Sequence, residues 1–243
     1  CGRVRPLAWC SRPRSGAALP EGALVPPRAL TPSGLVLVDK PAGPSSFALV
    51  RDLRNRTGAR AGHAGTLDPF ATGLLLVLLG AFTKQASKFV GLDKRYETAV
   101  DLTAATSTGD PEGEIVERHE APEEETLVAN LEALRGEVDL RIPAASAVKI
   151  GGERAYRLHR RGVDVEMPMR RTSVHELELL DYDGRVARLR VHVGSGGYVR
   201  AIAEALGGHC RSLRRTDVGP FSVGDADPER IVDPDEALAA LPQ

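Results

Sequence analysis

Gly62-His63-Ala64-Gly65-Thr66-Leu67-Asp68-Pro69, followed shortly by Leu74-Leu75-Leu76-Val77-Leu78-Leu79, is the stretch that decides how this 243-residue chain folds. An apolar run of that length, flanked by Gly73 and Gly80, reads as a buried strand. Gly62 and Gly65 let the backbone turn and approach a ligand closely. Pro69 fixes its own φ and holds Asp68 extended. A carboxylate thus stands on a stiff loop anchored to a core strand, a placement that suits a group that must attack something. Taken alone, an Asp before Pro in a glycine-bearing loop is more often a turn residue bonded to nearby amides.

Outward from this loop, Gly34 to Pro41 reads as a strand ended by a turn. Ser45 and Ser46 offer an N-cap for a helix through Leu49, Val50 and Leu53, closed by Gly58. Arg95 to Leu102 reads as another strand. Glu123 to Arg135 is an amphipathic helix with acids in its first turn, Leu127, Val128, Leu131 and Leu134 as its apolar stripe, and Gly136 as its stop. His175 to Leu180 and Arg185 to Val193 alternate about Asp183-Gly184, which predicts a hairpin. Turn chemistry also accounts for Asp181-Tyr182-Asp183-Gly184 more simply than a phosphatase motif does. Gly194-Ser195-Gly196-Gly197 lacks the βαβ spacing and acidic residue of a dinucleotide site. Helices and strands alternate without a βαβ rhythm, so the predicted fold class is α+β, with a mixed, largely antiparallel central sheet flanked by helices.

No apolar run approaches the ~20 residues a bilayer span requires, so no membrane association is expected. Cys1, Cys10 and Cys210 are too few and too scattered for a disulfide framework or a zinc site, which suits a reducing cytoplasm. The net charge of −1 hides a segregation. Basic side chains outnumber acidic ones ten to three over residues 1–60 and fifteen to eight over 141–215, whereas acids lead twelve to two over 101–140 and seven to one over 216–243. Such blocks can give a neutral protein one basic face able to track phosphates. Residues 1–33 carry six prolines, five arginines and a single acid with no apolar period. They are expected to be a disordered or non-native tail outside the fold.

The segment 62–84, GHAGTLDPFATGLLLVLLGAFTK, closely resembles the catalytic signature of the TruB family of pseudouridine synthases. The likeness continues in order from about Gly34 to Pro242: Lys40-Pro41-x-Gly43-x-Ser45-Ser46, Lys94-Arg95-Tyr96, Thr106 to Gly113, Ser146 to Lys149, Gly152 to Tyr156, Gly196-Gly197-Tyr198-Val199-Arg200, and Leu213 to Thr216 with Gly219 and Phe221. Gly197 stands where the family usually has Thr. Leu140, Ile142-Pro143 and Ala145 stand where Gln, a Pro pair and Tyr are usual.

The resemblance implies a pseudouridine synthase fold over residues 34–232, with 233–243 too short for a complete C-terminal RNA-binding domain and tRNA affinity correspondingly reduced. It implies isomerisation of uridine at position 55 in the T arm of tRNA, by a cytoplasmic enzyme expected to be a monomer. The isomerisation involves no net redox or hydrolytic step, so no cofactor and no metal is expected. Asp68 is implied as the nucleophile and Arg200 as the cation that holds it, in bidentate fashion. Tyr96 is implied to stack on the target base, and its phenol could relay a proton. Tyr198 would wall the pocket behind Asp68 and bond near the carboxylate. The base must leave its stack to react, and His63 could fill the vacated place or hold a neighbouring base. Arg60, Lys149 and Arg214 are candidates for phosphate contacts. Two rival functions remain: guide-RNA-dependent modification of ribosomal RNA, and tRNA binding or folding assistance with incidental catalysis.

Overall fold

A computed structural model describes residues 31–242, so the tail expected over residues 1–33 lies outside the described residues save for 31–33, where the Ser33 hydroxyl donates to Leu79 O and accepts from Phe82 N. Strand β1 (Gly34–Lys40) is buried at every position except Asp39. Ser45 caps helix α1 (Ser46–Thr57) by accepting from the Ala48 amide, and Gly58 closes it in the left-handed region at φ 66°. Strand β2 (Ala61–His63) and strand β3 (Thr72–Leu79) follow. Leu74 to Leu79 are wholly buried because both faces of β3 are covered. Leu75, Val77 and Leu79 meet Val50 and Leu53 of α1, whereas Leu74, Leu76 and Leu78 meet Phe82, Phe89 and Ala237. That double cover is why the run shows no polar alternation.

Helix α2 (Ala86–Val90) leads into β4 (Lys94–Asp101), and a small hairpin of β5 (Ala104–Thr106) and β6 (Ile115–Arg118) precedes α3 (Glu124–Ala133). Helix α3 buries Leu127 and Leu131 but leaves Val128 42% exposed. The stripe is narrower than predicted because Val128 lies a full helical step off the line joining those leucines. The helix also stops before Gly136, which at φ 85° opens strand β7 (Gly136–Arg141) instead. Strands β8 (Lys149–Ile150) and β9 (Glu153–Arg154) form a short hairpin ahead of α4 (Ala155–Arg160).

Strand β10 (Met169–Tyr182) begins ahead of the predicted start because its first residues pair with β7. It turns into β11 (Val186–Val193), with Asp183 Oδ1 accepting from the Arg185 and Val186 amides at 2.9 and 2.7 Å. The central pair of the turn is therefore Gly184-Arg185, one residue later than predicted. Helix α5 (Val199–Ala205), β12 (His209–Val218), β13 (Phe221–Ser222), β14 (Asp227–Val232) and α6 (Pro234–Ala239) complete the chain.

The strands join in the order β14-β1-β3-β12-β4-β11-β10-β7, with β2 on β3 and β13 on β12. The sheet is mixed and largely antiparallel, as expected; its parallel contact is the seam between β3 and β12, formed by Thr72 with Arg214 and Gly73 with Arg215. A Cβ on Gly73, whose φ is 101°, would sit 2.2 Å from the Arg215 carbonyl oxygen, so the close approach at the seam requires glycine there.

Candidate active site

The loop that carries Asp68 spans residues 64–71 between β2 and β3 and is tied down on several sides. The amides of Ala64 and Gly43 donate to the carbonyls of Leu76 and Pro69 at 3.0 and 2.8 Å. The Ser46 hydroxyl, in the first turn of α1, accepts from Leu67 N and donates to Leu67 O, both at 2.8 Å. Lys40, fully buried at the end of β1, donates its ammonium to the carbonyls of Pro41, Pro69 and Ala71 at 2.9, 3.0 and 2.6 Å. Arg215 of β12, also buried, donates to Gly65 O and Leu74 O at 3.1 and 2.7 Å. Leu67 and Ala71, on either side of Asp68, belong to the main apolar core. A buried cation is costly unless its donors are met. Here the acceptors are loop carbonyls, so Lys40 and Arg215 act as clamps.

Arg200, the second residue of α5, is 3% exposed and places its Nε 2.9 Å from Asp68 Oδ2. Its Nη1 donates to Thr108 O at 2.7 Å and its Nη2 to Ala145 O at 2.9 Å. The expected bidentate grip is therefore not formed: the outer edge of the fork is committed to backbone carbonyls, and one nitrogen remains for the carboxylate. Nη1 also lies 3.5 Å from Asp110 Oδ2. Asp110 is buried and accepts from the Thr108 hydroxyl at 2.6 Å and the Glu112 amide at 3.0 Å. Arg200 thus lies between two carboxylates, Asp68 and Asp110, and Lys40 adds positive charge near Asp68.

Burial pushes the Asp68 carboxyl above its ordinary value and Asp110 adds to the rise, against the downward pull of Arg200 and Lys40. The Lys40 ammonium is held below its ordinary value by burial, with Asp68 and Glu112 opposing that shift. Asp68 nevertheless keeps 32% of its side chain exposed, so its free oxygen can meet a reactant. Cavities of about 230 and 170 Å³ lie elsewhere, one between Ala144, His159 and Met167, the other between Leu37, Phe221 and Ala237. The Asp68 side chain is partly exposed, so a large substrate can reach it from the surface.

Tyr96 is buried on β4, in the same apolar cluster as Leu67 and Ala71. Tyr198 caps α5 and bridges that cluster to the small one around Ile142 and Met167. The expected bond from Tyr198 near the carboxylate is not formed; Arg200 is the partner there, and Tyr198 lies under Arg170, whose guanidinium carbon is 6.0 Å from the ring centroid. His63 sits on β2 opposite Val77, with its Nδ1 buried and unpartnered. Burial and the nearby Arg215 push its pKa below the ordinary imidazole value. Arg60 and Lys149 are exposed. Arg214 grips Asp39 through two bonds of 3.1 and 2.8 Å, so its charge is already paired.

The two departures from the family pattern have local accounts. Ala145 meets Arg200 through its backbone, so the site there is indifferent to the side chain, while Leu140 and Ile142 are buried in the apolar clusters. A Cβ on Gly197 would lie 3.1 Å from both Thr172 and Val193, so this chain leaves no room for a larger residue without a shift. Sequence reading missed the roles of Lys40, Ser46, Asp110 and Arg215. For Lys40 a signal was present: it continues the period-two face of Val36 and Val38, which is buried.

Three comparisons bear on this geometry. The family model described as TruB family pseudouridylate synthase (N terminal domain) matches residues 53–199. The tRNA pseudouridine synthase B of Corynebacterium jeikeium is 43% identical, over 86% of this chain and 76% of that protein. The protein of the same name from Leifsonia xyli is 41% identical, over 85% of this chain and 74% of that one. Among solved structures, a Cbf5-Nop10-Gar1 complex aligns with a TM-score of 0.60 and 28% identity, covering 78% of this chain and 50% of the other. With Arg200 set against Asp68 and these matches running across most of its length, the chain belongs to the TruB family of pseudouridylate synthases.

Proposed function

We infer that this protein isomerises uridine to pseudouridine in tRNA, and that its target is position 55 in the T arm. The observation that carries the reading is the Arg200–Asp68 contact of 2.9 Å on a loop clamped by two buried cations. The reaction breaks the bond between uracil N1 and the ribose C1′ and joins C5 to C1′, with the C5 proton leaving to solvent. Atoms other than that exchanged proton are conserved. A carboxylate nucleophile is a known route through such sugar-linked bonds. Attack on the sugar carbon and attack on the ring carbon both need the same thing, an ionised oxygen fixed against the base. Arg200 orients that oxygen and favours its charge.

A uridine within a folded RNA loop has to be extruded before it can turn, at a cost of a few kcal/mol. The partly exposed Asp68 can meet it, and Tyr96, in the apolar cluster that also holds Leu67, is the proposed stacking partner. Arg60 and Lys149, both exposed, are the candidates to meet phosphates. The test is release of tritium from 5-tritiated uridine in a bare T-arm hairpin. Release by the wild-type chain and none by Asp68→Asn is expected. No release from the hairpin, with turnover only when a guide RNA is added, would reassign the substrate to the guided reaction; normal turnover by Asp68→Asn would remove Asp68 as nucleophile.

A further inference from the structure

We propose that Asp93, His175 and His192 form a binding site for one divalent transition ion of the Zn²⁺ class, apart from the Asp68 site. The three ligand atoms come from three places in the chain, the turn before β4, β10 and β11, and all lie within 4.8 Å of one another. His175 Nε2 is 3.3 Å and His192 Nε2 3.7 Å from the same oxygen, Asp93 Oδ2. In a tetrahedral zinc site with bonds of about 2.0–2.1 Å, neighbouring ligand atoms are about 3.3–3.4 Å apart. Two edges of the trio, 3.3 and 3.7 Å, approximate that polyhedron, and with the third inside 4.8 Å a small turn of one ring closes it.

The backbone provides a second, independent observation. Val174 pairs with Val193 and Glu176 with His192, so His175 is the extra residue of a β-bulge between them. Antiparallel pairing that continues from Val174 and Val193 puts residues 175 and 192 on one side of the sheet, away from those buried valines. The bulge sets Glu176 opposite His192 as well and keeps His175 beside that ring, with the ring centroids 4.8 Å apart. An ordinary ion pair explains one imidazole on a carboxylate. Here two ring nitrogens, carried by two strands, converge on a single carboxylate oxygen. A dication held by two imidazole nitrogens and one carboxylate oxygen fits that convergence. Nitrogen and carboxylate donors in this ratio suit Zn²⁺, Co²⁺, Ni²⁺ or Cu²⁺ over Mg²⁺ or Ca²⁺. The side chains of Asp93, His175 and His192 are 47, 42 and 21% exposed, so a hydrated ion can enter and keep water in its remaining positions. Arg95 is the nearby cation that would oppose it, and Glu176 offsets that charge from 3.8 Å. A bound ion would staple the β10–β11 hairpin to the start of β4.

The test uses the full-length chain without an affinity tag, stripped with a chelator and titrated with ZnCl₂ by calorimetry and with CoCl₂ by absorption. One equivalent should bind, with weak visible Co²⁺ bands and no thiolate charge-transfer band, which separates this site from Cys1 and Cys10. His175→Gln and His192→Gln should each weaken binding at least about tenfold, and Zn²⁺ should raise the melting temperature of the wild type but of neither variant. His175 is exposed, so its replacement should leave the metal-free melting temperature unchanged and keep the comparison valid. Absence of binding, a thiolate band, or equal affinity in the wild type and both variants would overturn the proposal and leave the trio an ion-pair cluster.

Discussion

Asp68→Asn keeps the size of the side chain and removes only its charge, which makes it the sharpest probe of the site. Turnover should fall by at least about 10⁴-fold, the scale seen when a nucleophile is removed, while circular dichroism and RNA affinity stay near wild type. Because burial raises the Asp68 pKa, the acid limb of the single-turnover rate should lie above the ordinary carboxylate value of 3.8. Arg200→Lys keeps a cation but loses the Nε contact, so it should move that limb to still higher pH and lower the rate; a limb that does not move would detach Arg200 from the carboxylate. Asp101 has the opposite sign. Burial works against its charge, but hydrogen bonds from Arg185 and Thr103 win and hold it at about 2. The stability it contributes is present above pH 4 and is lost as the pH falls through about 2. Asp101→Asn should therefore lower the melting temperature at pH 7, with the gap closing as the pH drops from 4 to 2. At this scale the sequence revealed Asp68 and Arg200 through their motifs. It did not reveal that Arg200 spends two of its nitrogens on backbone carbonyls, because acceptors contributed by distant loops leave no mark on side-chain identity.

Between residue and fold, the clamps on the Asp68 loop decide how rigid the site is. Lys40→Met preserves the length and apolar stem of the side chain but deprives three carbonyls of their donor. A loss of about 3 kcal/mol is expected from unmet buried acceptors, read as a shift in the urea midpoint, together with a slower reaction at saturating RNA as the loop loosens. A variant with wild-type kcat would show that the other ties suffice. Elements set by local signals were legible: the Ser45 and Gly58 caps of α1, the solid apolar run of β3, the alternating arms of the β10–β11 hairpin. Those set by distant partners were not. The early start of β10 depends on β7, and the turn shifted by one residue because the Asp183 carboxylate captures two amides ahead of it.

Across the whole molecule, the segregated charge predicts RNA affinity that falls steeply with salt. Replacing Arg60 or Lys149 with Ala should flatten the plot of log affinity against log salt by about 0.7–0.9 each if each neutralises one phosphate. Arg214→Ala should flatten it less, since Asp39 already offsets that charge; equal effects from all three would show that RNA displaces Asp39. The strand order was the least legible feature, for β3 meets β12 more than a hundred residues later in the chain, through two residue pairs. That narrow join has its own consequence. Asp68 hangs from the β1–β3 side of it, whereas Tyr96 and Arg200 belong to elements beyond it. Warming should therefore silence the enzyme, as the join slips and the nucleophile drifts from its guanidinium, at a temperature where far-ultraviolet ellipticity still reports intact strands on either side.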